Sequence, residues 1–241
     1  MGDVVEFPRR RLSTPVATLQ SLSRTASSRW LSAWQVDDWG RDDSLVRIVD
    51  RLTRVRWTTT TGGLELLPAD GPAVVVVNTH RFHLTQWWVA GTLSGDIGRP
   101  VRFVGRSDTA PIGALARRLG GLLARPDEVG GALRDRQILV IGLSGTLDPR
   151  RVGSCDPRLL GPAVQQRVPV FPAAVAASES SRTARIEIAP SYTPPRRRRG
   201  PLGEVELARC IEARVGELLE SFGGAHTGTP LDLVPWPSGG T

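Results

Sequence analysis

The run Ala73–Val77, five apolar residues closed by Asn78-Thr79-His80, constrains the fold more than any other stretch of the chain. A strand wetted on one face alternates apolar and polar residues, whereas one that is apolar at every position has both faces covered. Helices on both sides of a mostly parallel sheet supply that cover. The expected fold class is therefore α/β, a mostly parallel central sheet covered by helices, preceded by an N-terminal helical segment.

The rest of the chain supports that reading. "DDSLVRIVDRLTRVRW" places Leu45, Ile48, Val49, Leu52 and Val55 on the apolar side of a helix, with Asp43 or Ser44 as its N-cap. Thr58–Thr61 favour extended chain, and Pro68–Gly71 reads as a turn. A helix follows from Leu84 to Leu93, then a strand at Val101–Gly105, and "PIGALARRLGGLL" as a helix ended by Gly120-Gly121. Gln137–Leu143 and "VPVFPAAVA" are further buried strands. "RTARIEIAPS" alternates and suits a sheet edge. The last helix carries Val205, Ala208, Ile211, Val215 and Leu218 on one stripe. Three regions result: an Arg/Ser/Trp-rich N-terminal segment, 1–40; a globular domain, 41–222; and a Gly/Pro-rich tail, 223–241.

In such sheets ligands gather at the carboxyl ends of strands. The end of Val74–Val77 delivers His80, and the end of Gln137–Leu143 delivers Ser144-Gly145-Thr146. His80 and His83 with no third ligand make a poor metal site, so no metal is expected. Gly142–Thr146 misses the Gly-x-Ser-x-Gly nucleophile elbow because Thr146 stands at the final glycine.

The order of "GGLELLP", an apolar strand, "HRFHLT", "VRFVGRSD…PIGALARRLGGLLAR", "ILVIGLSGT" and "VPVFPAAVA" resembles the glycerolipid acyltransferase family, the 1-acyl-glycerol-3-phosphate (lysophosphatidic acid) acyltransferases and their relatives. The resemblance spans residues 60 to 190. It implies transfer of an acyl chain from an acyl-CoA or acyl carrier protein thioester to the hydroxyl of a lysophospholipid-like acceptor, with no bound cofactor. It makes His80 the general base. Thr85 stands where the family's motif has the aspartate that orients it. Arg125, Ser144, Gly145 and Thr146 take the acceptor-binding positions, with Ser144 in place of the motif's glutamate. Both substitutions remove a carboxylate. A catalytically inactive member that binds lipid or a partner is the alternative reading.

All 31 basic residues are arginine, and the net charge of +7 favours anionic partners. An anionic membrane surface fits this charge. Nucleic acid fits less well, since no helix-turn-helix, zinc or RNA-binding signature is present. Arg196–Arg199 and the Trp30, Trp34 and Trp39 cluster are candidate lipid contacts. No run reaches the roughly 18 apolar residues of a membrane span. The two cysteines form no redox or metal pair. The expected location is cytoplasmic, or peripheral on the inner face of the membrane.

Overall fold

A computed structural model describes residues 36–79, 84–144, 152–178, 183–193 and 200–222. In chain order its elements are α1 (Asp43–Arg56), β1 (Thr58–Gly62), β2 (Ala73–Val77), α2 (Leu84–Ile97), β3 (Val101–Val104), α3 (Ile112–Arg118) and β4 (Gly121–Leu122). Then come α4 (Pro126–Arg134), β5 (Ile138–Gly142), α5 (Pro157–Gln166), β6 (Val170–Ser178), β7 (Thr183–Ile188) and α6 (Pro201–Ser221).

The seven strands form one sheet in the order β1-β7-β6-β2-β5-β3-β4. Every neighbouring pair is parallel except β6 and β7. Strand β2 is buried at all positions, and its side chains alternate between two cores. Val74 and Val76 meet α4, α5 and α6 through residues such as Leu133, Leu160 and Ile211. Ala73, Val75 and Val77 share the other core with Trp88 and Leu93 of α2. The all-apolar strand thus lies at the centre of a covered sheet, as its composition requires.

Four expectations need correction. Strand β7 is not an edge: it lies between β1 and β6, and its alternation sets exposed Thr183 and Arg185, the latter stacked over Phe222 at the end of α6, against Ala184, Ile186 and Ile188 in the core. The N-cap of α1 is Asp42, whose Oδ1 accepts from the N–H groups of Ser44 and Leu45 at 3.0 and 3.1 Å. The apolar side chains of α1 do not all face inward. Val46 is buried, but Ile48, Leu52 and Val55 are exposed. Trp39 is not helical: it sits in a turn, its indole N–H donates to Asp135 at 3.0 Å, and Arg102 stacks over its ring. Trp30, Trp34 and Arg196–Arg199 lie outside the described residues.

Two helices went unpredicted. Helix α4 contains Gly130-Gly131, and α5 contains Pro162, residues that argue against a helix in isolation. Packing overrides them: α4 and α5 lie against each other in one core, and Gln166 Nε2 of α5 donates to the Gly130 carbonyl at 3.0 Å. On α6 the buried set is Leu207, Ala208, Ile211, Val215 and Leu219, with Val205 turned outward.

Candidate functional site

Strands β2, β5 and β3 run parallel and end together, and that end is the candidate mouth. One side of it is walled. Val77 is level with Ala173, but β6 continues to Ser178, on the order of 15 Å further. Strand β7 pairs along that extension, and β1 pairs along β7. Thr58 is level with Thr183 and Ser178, so β1 stands wholly above the carboxyl end of β2.

The chain leaving β2 is held on both flanks. Asn78 is buried, its Nδ2 donates to the Val175 carbonyl at 3.0 Å, and its Oδ1 accepts from the Val175 N–H at 2.7 Å. Its carboxamide thereby extends the β2–β6 ladder by one rung. On the other flank the Thr79 hydroxyl donates to the carbonyl of Leu143, while the Leu143 N–H donates to Val77 at 2.8 Å. These contacts fix the departure point of the segment that carries His80. Residues 80–83 themselves, with His80 and His83, lie outside the described residues.

Helix α2 begins at Leu84. Thr85 is 1% exposed, and its hydroxyl has no hydrogen-bond partner among the described residues. The next residue, Gln86, is equally enclosed. Its Nε2 donates to the Val104 carbonyl at 3.2 Å, and its Oε1 is likewise unpartnered. Gly142 makes room for it: a Cβ there would lie 2.4 Å from both Gln86 Oε1 and Thr79 Cγ2. These two buried polar atoms have no partner among the described residues, and leaving such a group unpaired would cost about 1–3 kcal/mol.

Ser144 follows β5 and is exposed. Its hydroxyl donates to the Ser154 carbonyl at 2.6 Å and lies 2.7 Å from the Ser154 hydroxyl. The Ser144 N–H also reaches that carbonyl, at 2.7 Å. Residues 144 and 154 therefore form a closed neck. Gly153 is required there, because a Cβ on it would fall 1.7 Å from the Ser144 carbonyl oxygen. Gly145 and Thr146 belong to the segment beyond the neck, outside the described residues. Below the neck, Glu212 of α6 accepts from the Cys155 N–H at 2.7 Å. Burial, reinforced by Glu212 and Asp156, pushes the Cys155 thiol up to about 12, so it is no nucleophile at neutral pH.

Arg125 is the residue before α4, and its side chain is 60% exposed. Its one ion pair among the described residues is with exposed Asp108, at 3.3 Å. Arg106, which follows β3, leans toward Glu128 at 3.7 Å, and its buried Nε has no partner among the described residues. Sequence reasoning missed Asn78, Thr79, Gln86 and Ser154, and met Arg106 only within the RSD stretch that follows β3, without giving it a role. The Asn-Thr pair after the strand was the one visible signal.

The fold is shared with a solved structure, the 1-acyl-sn-glycerophosphate (LPA) acyltransferase PlsC from Thermotoga maritima. The TM-score is 0.55 at 18% sequence identity, over 80% of this chain and 81% of that one. At that identity the likeness is one of architecture. No protein-family model matches the chain, and no curated protein matches it.

Proposed function

We propose that the protein transfers an acyl chain from a thioester, on coenzyme A or an acyl carrier protein, to the hydroxyl of a glycerophosphate-type acceptor. The observation that carries this is the mouth of the sheet. Asn78 and Thr79 clamp the chain just ahead of His80, and five residues later Thr85 presents a buried hydroxyl that has no partner among the described residues, within a fold shared with PlsC.

In this reading His80 takes the proton of the acceptor hydroxyl as that oxygen attacks the thioester carbonyl. The tetrahedral intermediate collapses with loss of the thiolate, which recovers the proton from the imidazolium. The Thr85 hydroxyl accepts from the imidazole and fixes its tautomer, without the charge that a carboxylate would supply. Arg125 is exposed and weakly engaged with Asp108, so a phosphate can take it over. Ser144 acts through the neck it makes with Ser154, and Gly145 and Thr146 are assigned to acceptor binding by their positions in the motif.

The loss of both motif carboxylates favours a second reading, a binding module that keeps the pocket without turnover. Thiol release from an acyl-CoA in the presence of lysophosphatidic acid separates the two. The transferase reading expects turnover that His80→Ala abolishes. It also expects Thr85→Asp to raise the rate at least tenfold, since an orienting aspartate in a serine-protease triad contributes about 10⁴. Acceptor binding without turnover, unchanged by His80→Ala, would establish the binding module instead.

A further inference from the structure

Two arginines staple helix α1 to α2. Arg41, just ahead of α1 and 3% exposed, donates to Ser94 Oγ at 2.7 Å and to the carbonyl of Val101, the first residue of β3, at 3.4 Å. Arg54 pairs with Asp50 of its own helix and with Asp96 of α2, at 2.8 and 2.9 Å. A Cβ on Gly95 would come within 3.0 Å of Arg54 Nη2, so close approach explains that glycine. Gly91, one turn earlier, has no such reason. It is half-buried in the middle of α2, and a Cβ there would meet nothing within 4 Å. Glycine weakens a helix interior relative to alanine, because its backbone loses more freedom on folding.

Gly91 opens a slot that joins two hollows, and both are also lined by Val46 and Asp50. The inner hollow, about 20 Å³, is walled by Val49, Trp87, Trp88 and Leu119, with Thr53 and Thr92 as neutral polar groups. It has room for about one or two water-sized groups. The outer hollow, about 280 Å³, carries Arg41, Arg47 and Arg99 against Asp43 and Asp50. The slot lies at the amino end of β3, since Arg99 precedes that strand and Val101 begins it. The candidate mouth is at the other end of the same strand.

Charge selects the head of an occupant. Asp50 is taken up by Arg54, and Asp43 by Arg41 at 3.2 Å. Even so, Arg41 Nε is buried without an aligned hydrogen-bond acceptor among the described residues. Arg47 donates to the Asp43 carbonyl, and Arg99 to the carbonyls of Pro68, Ala69, Gly71 and Arg136. Neither meets a carboxylate among the described residues, so two positive charges stand at the outer hollow without an opposite partner there. A guanidinium in that state favours a carboxylate or a phosphate. Volume selects the tail. The inner hollow admits about two or three carbons and excludes an acyl chain of membrane length.

We propose that the slot between α1 and α2 binds a short-chain carboxylate. Its tail passes over Gly91 to Trp87 and Trp88, and its head meets Arg47 at the rim, with Arg41 and Arg99 adding to the positive field. Glycine stands at 91 because a side chain would fill the passage the tail needs. The site is separate from the mouth and stands apart from the transferase reading.

The test titrates the full-length protein with butyrate at constant ionic strength, by calorimetry and by tryptophan fluorescence. Saturation of one site with a Kd of about 1 mM is expected for a ligand of this size. Butanol has the tail without the charge, and inorganic phosphate the charge without the tail. Each should bind at least about tenfold more weakly. Gly91→Leu should hold or raise the melting temperature and lose butyrate by about tenfold or more. Arg47→Ser, at an exposed position, should melt like wild type and lose about tenfold. If Gly91→Leu melts lower, Arg47→Ser decides alone. Three results would overturn the proposal: no saturation by about 100 mM butyrate, butanol or phosphate binding as tightly as butyrate, or wild-type affinity for butyrate in either variant when folded. A lack of acyl transfer would sink the transferase reading and leave the butyrate result untouched.

Discussion

Replacing Asn78 by alanine should destabilise the protein by about 2–4 kcal/mol, because one buried carboxamide closes the gap between β2 and β6. The side chain makes two hydrogen bonds to Val175, one donated at 3.0 Å and one accepted at 2.7 Å. Each is worth about 1 kcal/mol net, and each leaves a backbone group buried and unpaired when lost, at about 1–3 kcal/mol. Partial water entry at the mouth brings the sum below the arithmetic maximum. Asn78→Asp sharpens the test. It keeps the acceptor for the Val175 N–H but sets a second acceptor against the Val175 carbonyl, in a buried site. The folded-state pKa of the new carboxyl is then raised above its unfolded value of about 3.9. Its contribution to stability is full below pH 4, where the protonated oxygen can donate, and is lost as the pH rises through the folded pKa. The variant should weaken relative to wild type by about 1.4 kcal/mol per pH unit in that window. Urea unfolding followed by tryptophan fluorescence, at several pH values, measures both effects. An alanine variant within about 0.5 kcal/mol of wild type, or an aspartate variant with a pH-independent deficit, would refute the reasoning.

Gly153→Ala should open the neck at Ser144, since its Cβ would fall 1.7 Å from a backbone oxygen that no rotamer change can move. A loss of about 1–3 kcal/mol and faster proteolysis between residues 144 and 154 are expected, and limited proteolysis reads the second. Stability should also fall as the pH rises from about 9 toward 12, at about 1.4 kcal/mol per unit, because the buried Cys155 thiol resists ionisation until about 12. The sign follows from the raised folded pKa: the contribution is intact below the unfolded thiol's pKa and disappears above it. With no lysine and a single tyrosine in the chain, few other groups titrate there, and Cys155→Ala should flatten that limb of the curve.

The parts of the fold that were legible are those where a local pattern has one physical solution. Ala73–Val77 could be placed to the residue because an all-apolar strand has nowhere to lie but between two helical layers. The stripe of α6 was nearly as clear through Ala208, Ile211 and Val215. Where two structures give the same pattern, the reading failed. Alternation at Thr183–Ile188 marks either an edge or an interior strand with one row of exposed side chains, and only the distant strand β1 decides between them. The periodicity of α1 marked an apolar side correctly but could not say that much of it points away from the domain. The site was legible as positions and illegible as contacts. Thr85 is recognisable by its spacing from His80, but its burial depends on α2 packing. The partners of Asn78 and Ser144 lie 97 and 10 residues away, and no local pattern announces them.

The wall above the mouth has a consequence for how the protein is made. Strand β1 emerges early from the ribosome, yet its one ladder partner among the described residues is β7, so Thr58 must await Thr183. Until then the strand is a solvent-exposed threonine run with unpaired backbone, and loop closure over that separation slows its docking. The central strands can associate sooner, leaving the rim of the mouth among the last parts of the molecule to assemble.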